Sequence, residues 1–242
     1  MVDCVMTGAT PDECWPLIRD FHYSKRMPSS ISHCFAWRKS GGLFGDTGEP
    51  LAVIIYGYPV NRNWPQDAIE LLRMARTNEL DKPLSGFISW SVKWLKANTN
   101  HPFILSYADT NQNHHGGIYQ ASGFSYVYSS KDGENIGFTD DNGEYIHGRT
   151  CYSRFGSSAL DHIKRLKPNW KPVYAKPKNL YIRPLRQKLP TILRKMDWKE
   201  LPYPKPDNAA RPLDKAVPTV TSQVQPLGAA PVFIQQKQEV NK

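Results

Sequence analysis

The 242-residue sequence has no apolar run of the roughly 18–20 residues needed to cross a bilayer, which argues against a transmembrane protein. Cysteine is scarce. Cys4, Cys14, Cys34 and Cys151 form no CxxC pair and no zinc-ligand spacing, so neither a disulfide framework nor a structural zinc site is expected. They read as reduced, partly buried thiols, and none stands in a motif that marks a nucleophile. The opening MVDCVMTGATPDEC lacks a basic stretch followed by an apolar one, so no secretory signal is expected and the chain reads as cytoplasmic. No internal repeat is visible.

What is present excludes full disorder: 40% hydrophobic residues, with seven Trp, twelve Tyr and nine Phe. The net charge is +9, from 31 Lys and Arg against 22 Asp and Glu, and it is unevenly spread. Residues 1–160 carry −2, and residues 161–242 carry +11 together with 12 of the 20 prolines. Such asymmetry favours a polyanionic partner. Lys164, Arg165, Lys167, Lys171, Lys176, Lys178, Arg183 and Arg186 alternate with Trp170, Tyr174 and Tyr181. Phosphate pairing with base stacking uses that mixture; a solvated basic face is the plainer alternative. From residue 201 the chain is Pro-rich and lacks periodicity, and reads as an extended or disordered tail.

Thr10-Pro11-Asp12-Glu13 predicts a helix start, with a helix running to about Asp20. Ile31–Arg38 and Leu51–Tyr56 read as a hairpin. Two helices are expected next, at Gln66–Arg76 and at Ser85–Ala97, the second capped by Ser85. Phe103–Ala108 reads as a buried strand, His115–Ser122 as a short helix and Phe124–Ser129 as a strand. Short strands at Asn135–Phe138 and Glu144–Arg149, a helix at Ser153–Leu166 and a strand at Leu180–Arg183 complete the order. The expected fold class is α/β, a mixed central sheet flanked by helices with a basic Pro-rich C-terminal extension. Residues 1–166 are expected to form the main domain, 167–200 a basic segment and 201–242 the tail.

Three segments carry a resemblance. Asn111, Tyr119 and Gly123-Phe124, following the strand at Ser106-Tyr107-Ala108-Asp109, resemble the late half of a GNAT acyltransferase. Taken with His22-Tyr23-Ser24 through Pro28 and with Glu70-Leu71-Leu72-Arg73-Met74-Ala75, they resemble the phage Mom family over about residues 20–155. That family converts adenine in DNA to an N6-carbamoylmethyl form, which blocks host restriction enzymes. The resemblance therefore implies a DNA-modifying transferase acting in the host cell cytoplasm. It implies double-stranded DNA as partner, with tRNA and a second copy of the chain as further candidates. One departure stands out: no Gln-x-x-Gly-x-Gly/Ala loop precedes a helix. The nearest anion cradle is Lys82-Pro83-Leu84-Ser85-Gly86. Acetyl-CoA and an aminoacyl donor such as glycyl-tRNA both stay open as donors, and the family's link to iron leaves a metal open too.

The candidate catalytic residues are His22, Tyr23, Ser106, Asp109 and Tyr119. A loop histidine can exchange a proton near neutrality or bind a metal, and is often merely solvated. Asp109 ends a strand at the edge where α/β folds gather ligands; its plainer role is to cap the turn. Ser106 is expected on the opposite strand face from Tyr107 and Asp109. The resemblance makes Tyr119 the proton donor to the leaving group; otherwise it is a core tyrosine. Arg73 and Gln120 are candidate substrate contacts, and Arg73 could instead pair with Glu70 along a helix. Extrusion of the target base is expected, with Tyr23, Tyr119 or Trp64 stacking on it. His114-His115 is a weak metal pair. The rival readings are a CoA-dependent N-acyltransferase acting on a small amine or protein, and a DNA-binding protein without catalysis.

Overall fold

The computed structural model describes residues 4–41, 48–59, 61, 64–112, 114–130 and 136–204. The first strand, β1 (Cys4–Ala9), had no clear sequence signal. It leads into α1 (Pro11–Phe21), whose start is the expected one. Thr10 accepts the Glu13 N–H while the Glu13 carboxylate reaches back to the Thr10 N–H at 2.7 Å, a capping box that contributes about 1 kcal/mol. The hairpin follows as β2 (His33–Lys39) and β3 (Pro50–Gly57), whose turn lies largely outside the described residues.

The expected helix at Gln66–Arg76 is instead β4 (Ile69–Arg76). Leu, Glu, Arg and Met favour helices locally, but this stretch is mostly buried and pairs with β3 on one side and with β5 (Phe103–Asp109) on the other. Tertiary pairing outweighs a propensity worth only tenths of a kcal/mol per residue. Between those strands runs α2 (Leu84–Asn98). Its cap is Pro83, not Ser85, and no side chain caps it.

After β5 come a 3-10 turn (Thr110–Gln112), α3 (Gly117–Ala121) and β6 (Ser125–Ser129). Gly116 precedes α3 at φ +85°, pressed against the Tyr181 ring, and Tyr181 donates to the His115 carbonyl at 2.7 Å. Only glycine meets both conditions, and the contact fixes where α3 begins.

A separate unit then intervenes: β7 (Ile136–Thr139), β8 (Tyr145–Ile146), α4 (Gly148–Phe155), α5 (Leu160–Leu166) and β9 (Lys171–Tyr174). The expected strand to Arg149 stops at Ile146, and the expected helix at Ser153–Leu166 is two helices. Gly156, at φ +74°, closes the first of them. The unit has its own three-stranded sheet, in the order β8-β7-β9, and its own core of Phe138, Cys151, Ile163 and Trp170.

The chain returns through β10 (Lys178–Pro184) to α6 (Leu189–Lys195). β10 lies inside the main sheet, whose order is β1-β2-β3-β4-β5-β10-β6. Residues 167–200 are therefore not an appendage, and a boundary at 166 would remove an interior strand. The Pro-rich extension beyond Pro204 lies outside the described residues.

Six of these adjacencies define a mixed sheet: β4 and β5 are parallel, and the other five pairs are antiparallel. One face packs on α2 and α3 through Phe35, Ile54, Tyr56, Ile69, Leu71, Ile104 and Ala108. The other packs on α1 through Cys34, Ala36, Val53 and Ile55, and on α6 through Phe103, Leu105, Leu180 and Ile182. At about 25 cal/mol per Å² of apolar area, these two layers supply the main driving force for folding. No helix among the described residues is long and apolar enough to cross a membrane.

Candidate active site

The two parallel strands barely touch. β4 and β5 pair only at Ile69–Ile104 and Glu70–Leu105, and beyond those residues the register ends. On the other side of β4, Tyr56 faces Leu71 while Ile55 faces Arg73, so Leu72 is an extra residue. Such a bulge bends the strand and re-aims its side chains. Leu71 packs with the α2 face, whereas Leu72 and Arg73 both line a cleft on the α1 face. The result is a window between β4 and β5. Ser106 stands at its margin and donates to the Leu71 carbonyl at 3.2 Å.

The cleft on the α1 face has a volume of about 670 Å³. Its floor carries Tyr23, Leu72, Arg73 and Lys178; the loop after α1 supplies Ser24, Arg26, Met27, Pro28 and Ser29; α4 and its cap supply His147, Arg149, Thr150, Ser153 and Arg154. Among the described residues of this lining, five side chains are cationic and none is a carboxylate.

His22 and Tyr23 follow the end of α1, where the chain turns down onto the sheet. Their rings stack, with centroids 4.4 Å apart. His22 is buried, and its Nδ1 accepts the Ser24 N–H at 3.1 Å. That donor fixes the neutral Nε2–H form. Burial, with the nearby Arg73 and His114, pushes the His22 pKa down to about 3. The ring is thus neutral at physiological pH, and does not have the near-neutral pKa expected of a loop histidine. Burial, reinforced by the Asp109 carboxylate and offset by Arg73, pushes the Tyr23 phenol up to about 12.

Arg73 donates to the Leu72 carbonyl at 2.7 Å and to the Arg26 carbonyl at 3.4 Å. It is thus held by the bulge and by the loop opposite, not by a helical Glu70 neighbour. Asp109 is buried at the end of β5 and is the register partner of Lys178 on β10. Burial pulls the Lys178 pKa down to about 8, and Asp109 and Glu70 limit the fall.

The other face of the window is different. Ser106 faces α2 and α3, opposite Asp109, as strand alternation requires. Tyr119 on α3 is buried against Phe124 and Tyr181, with ring centroids 5.5 and 5.2 Å away. Burial raises its pKa, and a hydrogen bond with Ser106 draws it part of the way back. The phenol keeps its proton at neutral pH. Tyr23 and Tyr119 lie on opposite faces of the sheet. On the Tyr119 face a second cleft, of about 380 Å³, lies between Arg76, Pro83, Leu84, Ser85, Ile118 and Ala121.

Other expected residues fall elsewhere. Gln120 is exposed on α3, outside the lining of the basic cleft. Trp64 is buried in the core and donates to the Tyr107 hydroxyl at 3.0 Å, so it cannot stack on a base. Tyr119 is equally enclosed, which leaves Tyr23 as the ring in the cleft. Arg183 donates to the Gly123 carbonyl, and Arg186 to those of Thr99 and Lys96, so both brace the fold. Lys164, Arg165, Lys171 and Lys176 are exposed, and Lys167 lies over the Trp170 ring at 5.8 Å. Arg26, Arg149 and Arg154 are cleft residues that sequence reasoning missed. Arg26 stood within the motif at His22 through Pro28; the two on α4 gave no signal, because Arg149 read as a strand end and Arg154 as the first turn of a separate helix.

Among the described residues no three His, Cys, Asp or Glu side chains converge to hold a metal, and this includes His114-His115. The first-turn amides of α2 carry no side-chain cap, and Arg76, at the rim of the second cleft, donates to the Leu80 and Lys82 carbonyls.

The model of the Mom protein family matches residues 5–205. No curated protein matches the chain. Among solved structures, Arabidopsis thaliana NAA60 in complex with acetyl-CoA is similar at 10% identity and a TM-score of 0.46, over 76% of this chain and 99% of that one. A Bacillus subtilis acetyltransferase in complex with CoA is similar at 13% identity and a TM-score of 0.44, over 76% and 99% of the two chains. An N-acetyltransferase from Staphylococcus aureus Mu50 is similar at 11% identity and a TM-score of 0.44, with the same coverage.

Proposed function

The chain belongs to the Mom protein family, and from that premise we propose that it is a transferase that converts adenine in DNA to N6-carbamoylmethyladenine. The observation that carries this reading is the early end of the β4–β5 pairing, with a basic cleft on one face of the sheet and the buried Tyr119 on the other. An acceptor and an activated donor can meet there from opposite sides of the sheet.

The adenine amino group is conjugated with its ring and is a poor nucleophile, so the site must both position it and remove a proton. A base inside a duplex presents no open approach, and a cleft of about 670 Å³ has the size of a single-ligand pocket. The target nucleotide therefore enters extruded. Tyr23 supplies the ring on which the base lies, with Met27, Pro28 and Leu72 as the apolar lining. Asp109 takes the amino proton, and Lys178 beside it holds the charge in place. Arg73 faces negative charge that develops at the window. Tyr119, protonated and hydrogen-bonded with Ser106, delivers a proton to the leaving group on the far side. A glycyl ester donor bound along α2 carries the two carbons and the nitrogen of the product: N6 attacks its carbonyl, the ester oxygen leaves with the Tyr119 proton, and the N6-glycyl group so formed must rearrange to its isomer N6–CH2–CO–NH2; acetyl-CoA would meet the anionic requirement of the α2 terminus but supplies no nitrogen.

The rival reading of an acyltransferase for small amines meets an obstacle in this lining. A protonated amine would approach five cations.

The test is to digest DNA from cells expressing the chain to nucleosides and weigh them, with Tyr119→Phe as control. A deoxyadenosine heavier by one carbamoylmethyl group, absent with the variant, is the expected result. Unmodified adenine from soluble protein supplied with donor would overturn the reading.

A further inference from the structure

We propose that the unit inserted between β6 and β10 is a jaw that grips the phosphodiester backbone of a DNA strand, with Arg149 and Arg154 of α4 as its phosphate contacts. This rests on the function proposed above and goes beyond it by assigning a surface that the sequence placed elsewhere, in residues 167–200.

The unit is structurally separable. Its sheet of β7, β8 and β9 shares no strand with the main sheet, and its core is its own. What it adds is one wall of the cleft. α4 is two-sided: Cys151 is buried in the unit's core, while Arg149, Thr150, Ser153 and Arg154 line the cleft.

The opposite wall has the same chemistry. Ser24, Arg26 and Ser29 come from the loop after α1. Guanidinium groups paired with hydroxyl donors are the usual equipment for phosphate oxygens. Arg26, Arg149 and Arg154 make no ion pair among the described residues, where Arg19–Asp20, Arg38–Glu13 and Lys39–Glu79 are paired. Three guanidiniums that find no carboxylate among the described residues repel one another across the cleft and favour an occupant that carries several negative charges. A strand that delivers one nucleotide to Tyr23 carries a phosphate on each side of it, one for each wall. Tyr152 stands exposed on α4 itself, ready to stack on a neighbouring base.

The experiment measures binding of a fluorescein-labelled oligonucleotide, single-stranded and duplex, across a salt series. It compares the full chain with Arg149→Ala/Arg154→Ala, Arg149→Lys/Arg154→Lys and Lys93→Ala/Lys96→Ala. The last removes two charges from α2, on the opposite face of the sheet. The alanine pair should weaken binding about tenfold or more and flatten the salt slope by about 1.4–1.8, the value for two lost phosphate contacts. The lysine pair should restore most of the slope, which separates lost charge from a damaged fold. The α2 pair should bind as the parent does.

Equal effects of the two alanine pairs, or none from the α4 pair, would overturn the jaw. Normal jaw behaviour in a protein that leaves adenine unmodified would overturn the proposed reaction and leave the jaw standing.

Discussion

Asp109 and Lys178 are register partners on the antiparallel strands β5 and β10, an acid and a base side by side beneath a basic cleft. Neither strand alone makes this pair. β10 is the interior strand that returns after the inserted unit, so the Lys178 ammonium reaches the site only once the chain has come back into the sheet.

The first prediction concerns that lysine. Its amine should titrate near 8, well below the usual 10.5, because burial disfavours the charged form. Reductive methylation followed by a pH series of the methyl resonance measures it. Between about pH 8 and 10.5 the unfolded chain holds the proton that the folded one has lost, so stability should rise with pH across that window. Lys178→Met should remove the rise. A resonance that titrates at 10.5 would contradict the buried placement.

His22 should behave in the acid range as Lys178 does in the alkaline one. The folded ring accepts a proton only near pH 3 and the unfolded ring near 6.5. Stability is therefore fully present above about 6.5 and is lost as pH falls towards 3, by an amount on the order of a few kcal/mol. Denaturant titrations at stepped pH, compared with His22→Asn, should show a shallower acid loss in the variant.

Tyr119→Phe tests the proton donor without touching the basic cleft. DNA modification should fall by roughly 10²–10⁴-fold, the usual contribution of a positioned acid. Oligonucleotide affinity should stay within about twofold, because the Tyr119 phenol is buried on the other face of the sheet. A matching fall in binding would show that Tyr119 shapes the acceptor side instead.

Gly116→Ala tests the seat of α3. The new methyl would meet the Tyr181 ring within 2.1–2.4 Å, at a backbone φ of +85°. Both faults should lower stability by about 2–4 kcal/mol in a thermal melt. Modification activity should suffer with it, since α3 carries Tyr119. A Tm within a degree of the parent would mean that α3 has room to shift.

The sequence by itself determined the elements whose cause is local. Thr10 and Glu13 cap α1 through contacts three residues apart. Alternating and buried apolar runs give the β2–β3 hairpin and β5, and place Ser106 and Asp109 on opposite faces. The motif at His22 through Pro28 and the stretch at Ser106 through Phe124 supply Tyr23 in the basic cleft, Asp109 at the end of β5 and Tyr119 on the other face of the sheet.

Tertiary structure decided the rest. Ile69–Arg76 is helical by propensity and a strand by pairing, because the hydrogen bonds and burial gained between β3 and β5 exceed tenths of a kcal/mol per residue. The bulge at Leu72, which turns Arg73 into the cleft, exists only in the register with β3. Lys178 and the α4 arginines come from segments more than 60 residues beyond β4 in the sequence and reach the cleft only through the return of β10 and the inserted unit. Charge composition showed where cations lie along the chain. It could not separate the arginines that line the cleft from Arg183 and Arg186, which spend theirs on backbone carbonyls, because both kinds look alike until the fold supplies their partners.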